Sequence, residues 1–492
     1  MNIKRHTIVS LFMTPLLLVL GSCDDFVDVQ PINQINSDNF FNSEEDYQAA
    51  LVGAYDLLQA SYVNVMLAIM ASDDALCGGE SATDVPGFQE VDDMRHTVVN
   101  DQLRNVWNWM YAGINRCNYI FEFQDKTDFS GKSAILGQAA FLRAYYYFEL
   151  LKFFGDVPMP LDKRVNFGEA ENFPRTPAAQ VYAQIEKDLT FAAANLPEVQ
   201  VEKGRVTKGA AQALLGKVLV YQEKFNEAAP ILDAVINSGV YQLESDYAGI
   251  FTLSGENNRE SVFEVQYTNE QGAGFGCLQC SEGNVMVGFS GVRGYNGPVY
   301  RDGFSFCVLT PELAAAFDPA DGRYRPTVFD IEAWATEQAR QGVEVTWSEG
   351  YEHTGYFNQK YLPRKGETFQ DPNLTHLNNY RAIRFSDVLL LAAEANNRGN
   401  LDQAKALSYL NRVRARASMP ALNVSGAQLT DAIIHERRLE LAGEGHRFFD
   451  LVRWGKAQEF ISGFQTGKHE LFPIPLEEIE LAGNIWQNNP GY

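Results

Sequence analysis

Six tryptophans stand out in this chain, because a flat aromatic ring can stack on the apolar C–H face of a pyranose while polar neighbours take the hydroxyls. Trp107 and Trp109 fall on an apolar-periodic stretch, Trp454 sits in a dense run of charges and Trp486 lies near the end of the sequence; these four read as packing. Trp334 and Trp347 remain. Both lie in a glycine-rich region beside Tyr295, Tyr300, Tyr351 and Tyr356, so Trp334, Trp347, Tyr295 and Tyr300 are the expected ligand-contacting aromatics. The competing reading has them capping a local core, since large aromatics are mostly buried. Asp73 and Asp74, at the end of an early helical stretch, are secondary candidates for hydroxyl contacts.

Other reactive types form no catalytic pattern. Glycoside hydrolysis needs two carboxylates about 5 to 10 Å apart, and 63 acidic residues offer too many choices to name a pair. Gly131-Lys132-Ser133 resembles a phosphate loop, yet the required glycine five positions earlier is Lys126. Gly272-x-Gly274 is followed at the third position by Cys277 and fails the dinucleotide pattern. His96, His353, His376, His435, His446 and His469 are scattered with no pair at helical i, i+4 spacing, so no metal is expected. Cys277-x-x-Cys280 lies in a glycine-rich loop without a second pair; a local disulfide or two free thiols is its default. No cofactor is expected, and binding rather than catalysis.

The scaffold that must position the tryptophans is written in helical periodicity. Ser43 with Asp46 has the form of a capping box opening a helix through Leu51, Tyr55 and Leu58, and Trp107, Met110, Ile114, Cys117 and Phe121 form one face of a partner. Gln138 to Phe154 is apolar nearly all round, which places it between neighbours, and Gly155 ends it. Thr176-Pro177 has the form of an N-cap and first turn, followed by Val181, Ile185, Leu189 and Ala192. Thr207 caps a helix through Leu215 and Leu219; after a break near Lys224 a second carries Phe225, Ala228, Leu232 and Val235. Leu215-Gly216 with Ala228, and Leu391-Ala392 with Ala404, match the small-residue crossing of tetratricopeptide helices. The expected fold is mainly α: about four helix pairs, over about 43–240 and 381–416, interrupted by an irregular insertion of loops and short strands over about 241–380. Binding surfaces sit on loops held by rigid scaffolds, so the insertion and the similar break from 72 to 99 are where a ligand is expected.

The formal charge is -23, and a chain this acidic repels nucleic acid. The N-terminus reads as an export signal over 1–22: Lys4-Arg5, an apolar run from Ile8 to Leu20, then Gly21 and Ser22 before Cys23. Leu20-Gly21-Ser22-Cys23 is similar to a lipobox, so lipidation is expected at Cys23, with the acyl chains holding the protein to a membrane and residues 23–42 an acidic tether.

Five stretches together resemble the SusD/RagB family of outer-membrane nutrient-binding lipoproteins: FLRAYYYFELLKFFGDVPMP (141–160), VTKGAAQALLGKVLVYQEKFNEAAPILDAVINSGVYQL (206–243), RFSDVLLLAAEANNRG (384–399), ERRLELAGEGHRFFDLVRWG (436–455) and FPIPLEEIELAGNIWQNNPGY (472–492). Their order also matches the family. The resemblance implies a single domain over 43–492, a tetratricopeptide-like scaffold, a lipid anchor at the outer membrane facing the cell exterior, and a SusC-like TonB-dependent transporter as partner that draws in a captured glycan. It does not settle the ligand. A peptide-capturing relative, a scaffold for other outer-membrane proteins and a surface glycosidase are the alternatives. In the fourth stretch, Glu436, Arg437, Arg438, Glu440, Arg447 and Asp450 have the look of an acid/base cluster, but beside Leu439, Phe448 and Trp454 they read as ion pairs bracing helix against helix.

Overall fold

The computed structural model describes residues 40–270, 275–367 and 374–492. The export signal, Cys23, most of the tether, Gly272 and Gly274 lie outside the described residues. Four helix pairs form the scaffold: Glu44–Asp56 with Asp101–Glu122, Lys132–Phe154 with Ala178–Asn195, Lys208–Tyr221 with Phe225–Asn237, and Phe385–Arg398 with Gln403–Arg416. Four of these helices begin at a side-chain cap of their own, from Ser43, Asn100, Thr207 and Asp402. Ser43 Oγ accepts from Asp46 N while the Asp46 carboxylate accepts from Ser43 N at 3.2 Å, closing the capping box. Thr207 Oγ1 accepts from Ala210 N at 3.1 Å.

The second helix of the sequence pattern departs from expectation at its start. Ala178 is its first residue, and Thr176 is instead a strand residue opposite Val157. The cap comes from elsewhere in the chain: Asp156 Oδ1 accepts from Ala178 N at 2.7 Å. A threonine–proline pair carries the local signal for a cap, but a carboxylate is the better partner for the positive end of a helix.

Lys132–Phe154 is buried on nearly every side from Ile135 to Phe154, as its unbroken apolar sequence requires. Gly155 ends it with a φ of +68°, a conformation costly for residues with a Cβ. In the third pair, a Cβ at Gly216 would stand 2.4 Å from Leu232 Cδ2, so the glycine lets the two helices cross closely. Among the described residues no helix is long and apolar enough to cross a membrane.

The insertion leaves and rejoins the scaffold through one antiparallel ladder, in which Val265 faces Tyr380 and Ser261 faces Arg384. Between these strands the chain forms a small second core of Val292, Tyr295, Tyr300, Val308, Phe329, Ile331, Phe357 and Leu362. Val328–Asp330 pairs with Tyr356–Asn358, and Ala75–Leu76 pairs with Val308–Leu309. The insertion is more helical than its glycines suggest. Ile331–Arg340 is a helix of ten residues, capped by Asp330 Oδ1 on Ala333 N at 2.8 Å. Cys277 and Cys280 form a local disulfide.

The charged C-terminal motif supplies the joint between insertion and scaffold. Arg384, almost fully buried, bonds Glu260 Oε1 at 2.7 Å, Glu440 Oε1 at 2.8 Å and Glu444 Oε1 at 2.8 Å. Arg437 links Asp387 and Asp450 at 2.8 and 2.9 Å, and Arg453 grips Glu394 through both oxygens at 2.7 Å. Burial pushes the Glu394 carboxyl up, but Arg453 outweighs it and brings it down to about 2. These carboxylates are therefore committed to guanidinium groups, the bracing role their apolar neighbours implied.

Candidate functional site

The four aromatics singled out in the sequence converge on the second core. Trp334 projects from the helix Ile331–Arg340 and donates from Nε1 to Tyr295 Oη at 2.9 Å. Tyr295 in turn donates to Pro298 O at 2.7 Å. Tyr300 meets Phe329 and Trp334 edge-on, with centroids 4.8 and 5.6 Å apart, and its hydroxyl accepts from Gln359 Nε2 at 2.8 Å. Trp334 and Trp347 are half-buried against this core, whereas Tyr295 and Tyr300 are buried within it. Burial also pushes the Tyr295 phenol up. The tyrosines, their hydroxyls already partnered, support the partly exposed Trp334, and Trp347 packs against the same core.

The two loop regions expected to carry a ligand surface are brought edge to edge. Gly79 N donates to Ser305 O at 2.9 Å, and Tyr351 N donates to Gly79 O at 3.0 Å. Asn296 and Thr346 exchange backbone bonds at 2.8 and 2.9 Å, and Ser348 N donates to Arg293 O at 2.9 Å, which seats Trp347 beside the 291–306 segment. Arg293 spans the seam: Nη2 contacts Asp84 Oδ2 at 3.3 Å and donates to Phe304 O at 3.1 Å. Half-exposed Tyr351 and exposed Glu80 and Ser348 lie along the same seam, so aromatic, acidic, basic and hydroxyl groups meet where the two loop regions join. Planar faces with polar side chains at their margin suit a polyhydroxylated ligand.

Asp73 and Asp74 do not belong to this surface. Arg447 holds Asp73 through Nε at 2.7 Å and Nη2 at 2.9 Å, and Arg438 Nε holds Asp74 Oδ1 at 2.7 Å. Both carboxylates are spent on the C-terminal motif, and exposing either to a ligand would strand a buried arginine. The residues that sequence reasoning passed over are Arg293, Asp84 and Glu80. Their only signal was position, in or beside the two glycine-bearing breaks; their meeting depends on a contact between segments some two hundred residues apart.

The remaining tryptophans pack, as expected. Trp454 donates to Glu394 Oε1 at 2.9 Å, Trp486 donates to Phe173 O at 2.8 Å, and Trp107 meets Phe154 edge-on at 5.2 Å. Among the described residues no group of three or more His, Cys, Asp and Glu side chains is placed to hold a metal ion.

Comparison with known proteins gives a consistent result. A family model described as "SusD family" matches residues 339–470, and one described as "Starch-binding associating with outer membrane" matches residues 25–220. SusD-like protein P2 of Formosa agariphila is 28% identical over 97% of this chain and 98% of its own length. Among solved structures, a laminarin binding SusD-like protein superposes with a TM-score of 0.84 at 34% identity, over 92% of this chain and 100% of that one. Surface glycan-binding protein A from Bacteroides thetaiotaomicron, in complex with laminarihexaose, superposes with a TM-score of 0.79 at 28% identity, over 91% of this chain and 99% of that one.

Proposed function

Because the chain belongs to the SusD family, we propose that it is a surface-exposed, lipid-anchored glycan-binding protein of the outer membrane, which captures an oligosaccharide or polysaccharide and passes it to a partner TonB-dependent transporter. The observation that carries the glycan reading is the pair of half-exposed tryptophans, Trp334 and Trp347, packed against one largely aromatic core in the insertion that also carries Arg293 and Tyr351. Similarity to a laminarin binding protein and to one solved with laminarihexaose makes laminarin the first glycan to test. Anchoring would rest on Cys23, whose acyl chains hold a protein to a membrane without a spanning helix.

The protein acts by binding and not by hydrolysis. The carboxylates most densely clustered in the sequence are buried and held by arginines, which leaves them no access to a sugar. The test is affinity electrophoresis and calorimetry of soluble protein against laminarin, other glucans, unrelated polysaccharides and oligopeptides. Selective binding of one glycan, with no new reducing ends on prolonged incubation, supports the proposal. Binding of peptides alone would overturn the glycan reading, and release of reducing ends would overturn the non-catalytic one.

A further inference from the structure

A cleft of about 350 Å³ opens between the scaffold and the C-terminal segment, outside the tryptophan platform. Its walls include Trp107, Tyr111, Val165, Phe173 and Trp486. Trp107 and Trp486 stand 5.7 Å apart at an angle of 49°, and Tyr111 closes on Trp107 at 4.9 Å. Most polar atoms in these walls have internal partners: Trp486 Nε1 donates to Phe173 O, Tyr111 Oη donates to Pro158 O at 2.7 Å, Asn115 exchanges bonds with Val165 at 2.8 and 3.3 Å, and Glu478 accepts from Arg104 Nε at 3.4 Å. What faces the opening is therefore mostly ring surface, with few groups left to receive sugar hydroxyls.

The segments that form the walls carry further exposed apolar side chains. Phe167 is 97% exposed, Leu481 53% and Ile485 49%, and all three sit on the two segments that form the walls. Their approach is fixed by the Trp486–Phe173 bond and by Glu171, whose Oε2 lies 3.6 Å from where a Cβ on Gly483 would be. A recess lined by aromatics and surrounded by exposed apolar side chains is the form taken by the centre of a protein–protein contact. On the same two segments Glu171 and Glu480 are exposed, while Glu477 is paired with Arg104, so an approaching segment meets two uncommitted carboxylates.

We infer that this cleft receives a segment of a separate polypeptide, which inserts an aromatic or branched aliphatic side chain and flanks it with lysine or arginine. Charge complementarity selects this occupant over the chain's own residues 24–39, which carry Asp24, Asp25, Asp28 and Asp38 and no Lys or Arg. The inference stands independently of the glycan reading.

The test is selection from a random peptide library displayed on phage, against soluble protein beginning at Asp24, followed by calorimetry with the selected synthetic peptides. The selected sequences are expected to share an apolar anchor between basic residues. Ala112→Arg, at the exposed edge of the cleft, should weaken them about tenfold or more, and Glu171→Lys with Glu480→Lys about three- to tenfold, with thermal unfolding and laminarin binding unchanged. Peptides that bind the Ala112→Arg protein as tightly as the unaltered one, or a selection that returns acidic sequences, would overturn the inference. So would displacement of the selected peptides by glucan oligosaccharides, or hydrogen exchange in which Ala112→Arg deprotects residues 24–39, since either would place a different occupant in the cleft.

Discussion

Trp334 has a structural partner and a partly exposed face at once, so its replacement separates support from recognition. Trp334→Phe keeps a ring against Tyr300 and Phe329, 5.6 and 5.9 Å away, and loses one hydrogen bond to a Tyr295 hydroxyl that still donates to Pro298. That loss is worth about 1 kcal/mol of stability. Trp334→Ala also removes the ring from the cluster; full burial would make this about 3 to 5 kcal/mol, and half-burial brings it to about 2 kcal/mol. A stacking tryptophan truncated at a ligand surface costs about 1 to 2 kcal/mol of binding. The dissociation constant should therefore rise about 5- to 30-fold for the alanine variant and less than about threefold for phenylalanine. Calorimetry with laminarin, run beside urea unfolding on the same preparations, measures both quantities. An alanine variant that is folded and binds within about twofold of the parent would refute the platform.

Trp347→Ala should weaken laminarin binding by a similar factor while changing stability by less than about 1 kcal/mol, because its ring is packed only at the margin of the second core; calorimetry and thermal unfolding check the split. Arg384→Leu strands Glu440, Glu444 and Glu260 around a missing cation and should cost about 3 to 5 kcal/mol in denaturant unfolding; a loss below about 1 kcal/mol would mean the network carries no weight. Burial raises the Asp92 carboxyl to about 7, so the fold favours its neutral form: the stability it confers is complete near pH 4 and lost as pH rises through 7. Asp92→Asn should match the parent in thermal unfolding at pH 4 and exceed it by about 3 to 4 kcal/mol at pH 8, and a difference that does not vary with pH would remove burial as the cause. Gly216→Ala should destabilise by about 1 to 3 kcal/mol despite alanine's better helix propensity, since the new Cβ meets Leu232; equal or higher urea stability would mean the helices can part.

Much of the scaffold was legible because its signals are local. A capping box at Ser43 and Asp46, a threonine cap at Thr207 and the unbroken apolar run of the helix ending at Gly155 each depend on residues three or four apart, and the backbone turns them into structure without reference to the rest of the chain. The bracing role of the charged motif followed from chemistry alone, since arginines and carboxylates among phenylalanines cannot be buried unpaired. Thr176 shows the limit of this reasoning, because the cap on Ala178 comes from a carboxylate twenty-two residues away.

The sequence by itself determined the helical repeats and the family resemblance, and it singled out Trp334 and Trp347 as the candidates to test. Tertiary structure alone decided that those two pack on one core, that Tyr295 and Tyr300 meet Trp334, that Arg293 reaches Asp84 and that Asp73 and Asp74 are consumed by Arg447 and Arg438. The reason is range. Helical periodicity is fixed by neighbours within one or two turns, whereas irregular loops carry no repeating pattern, and their side chains acquire a role only when distant segments close on one another.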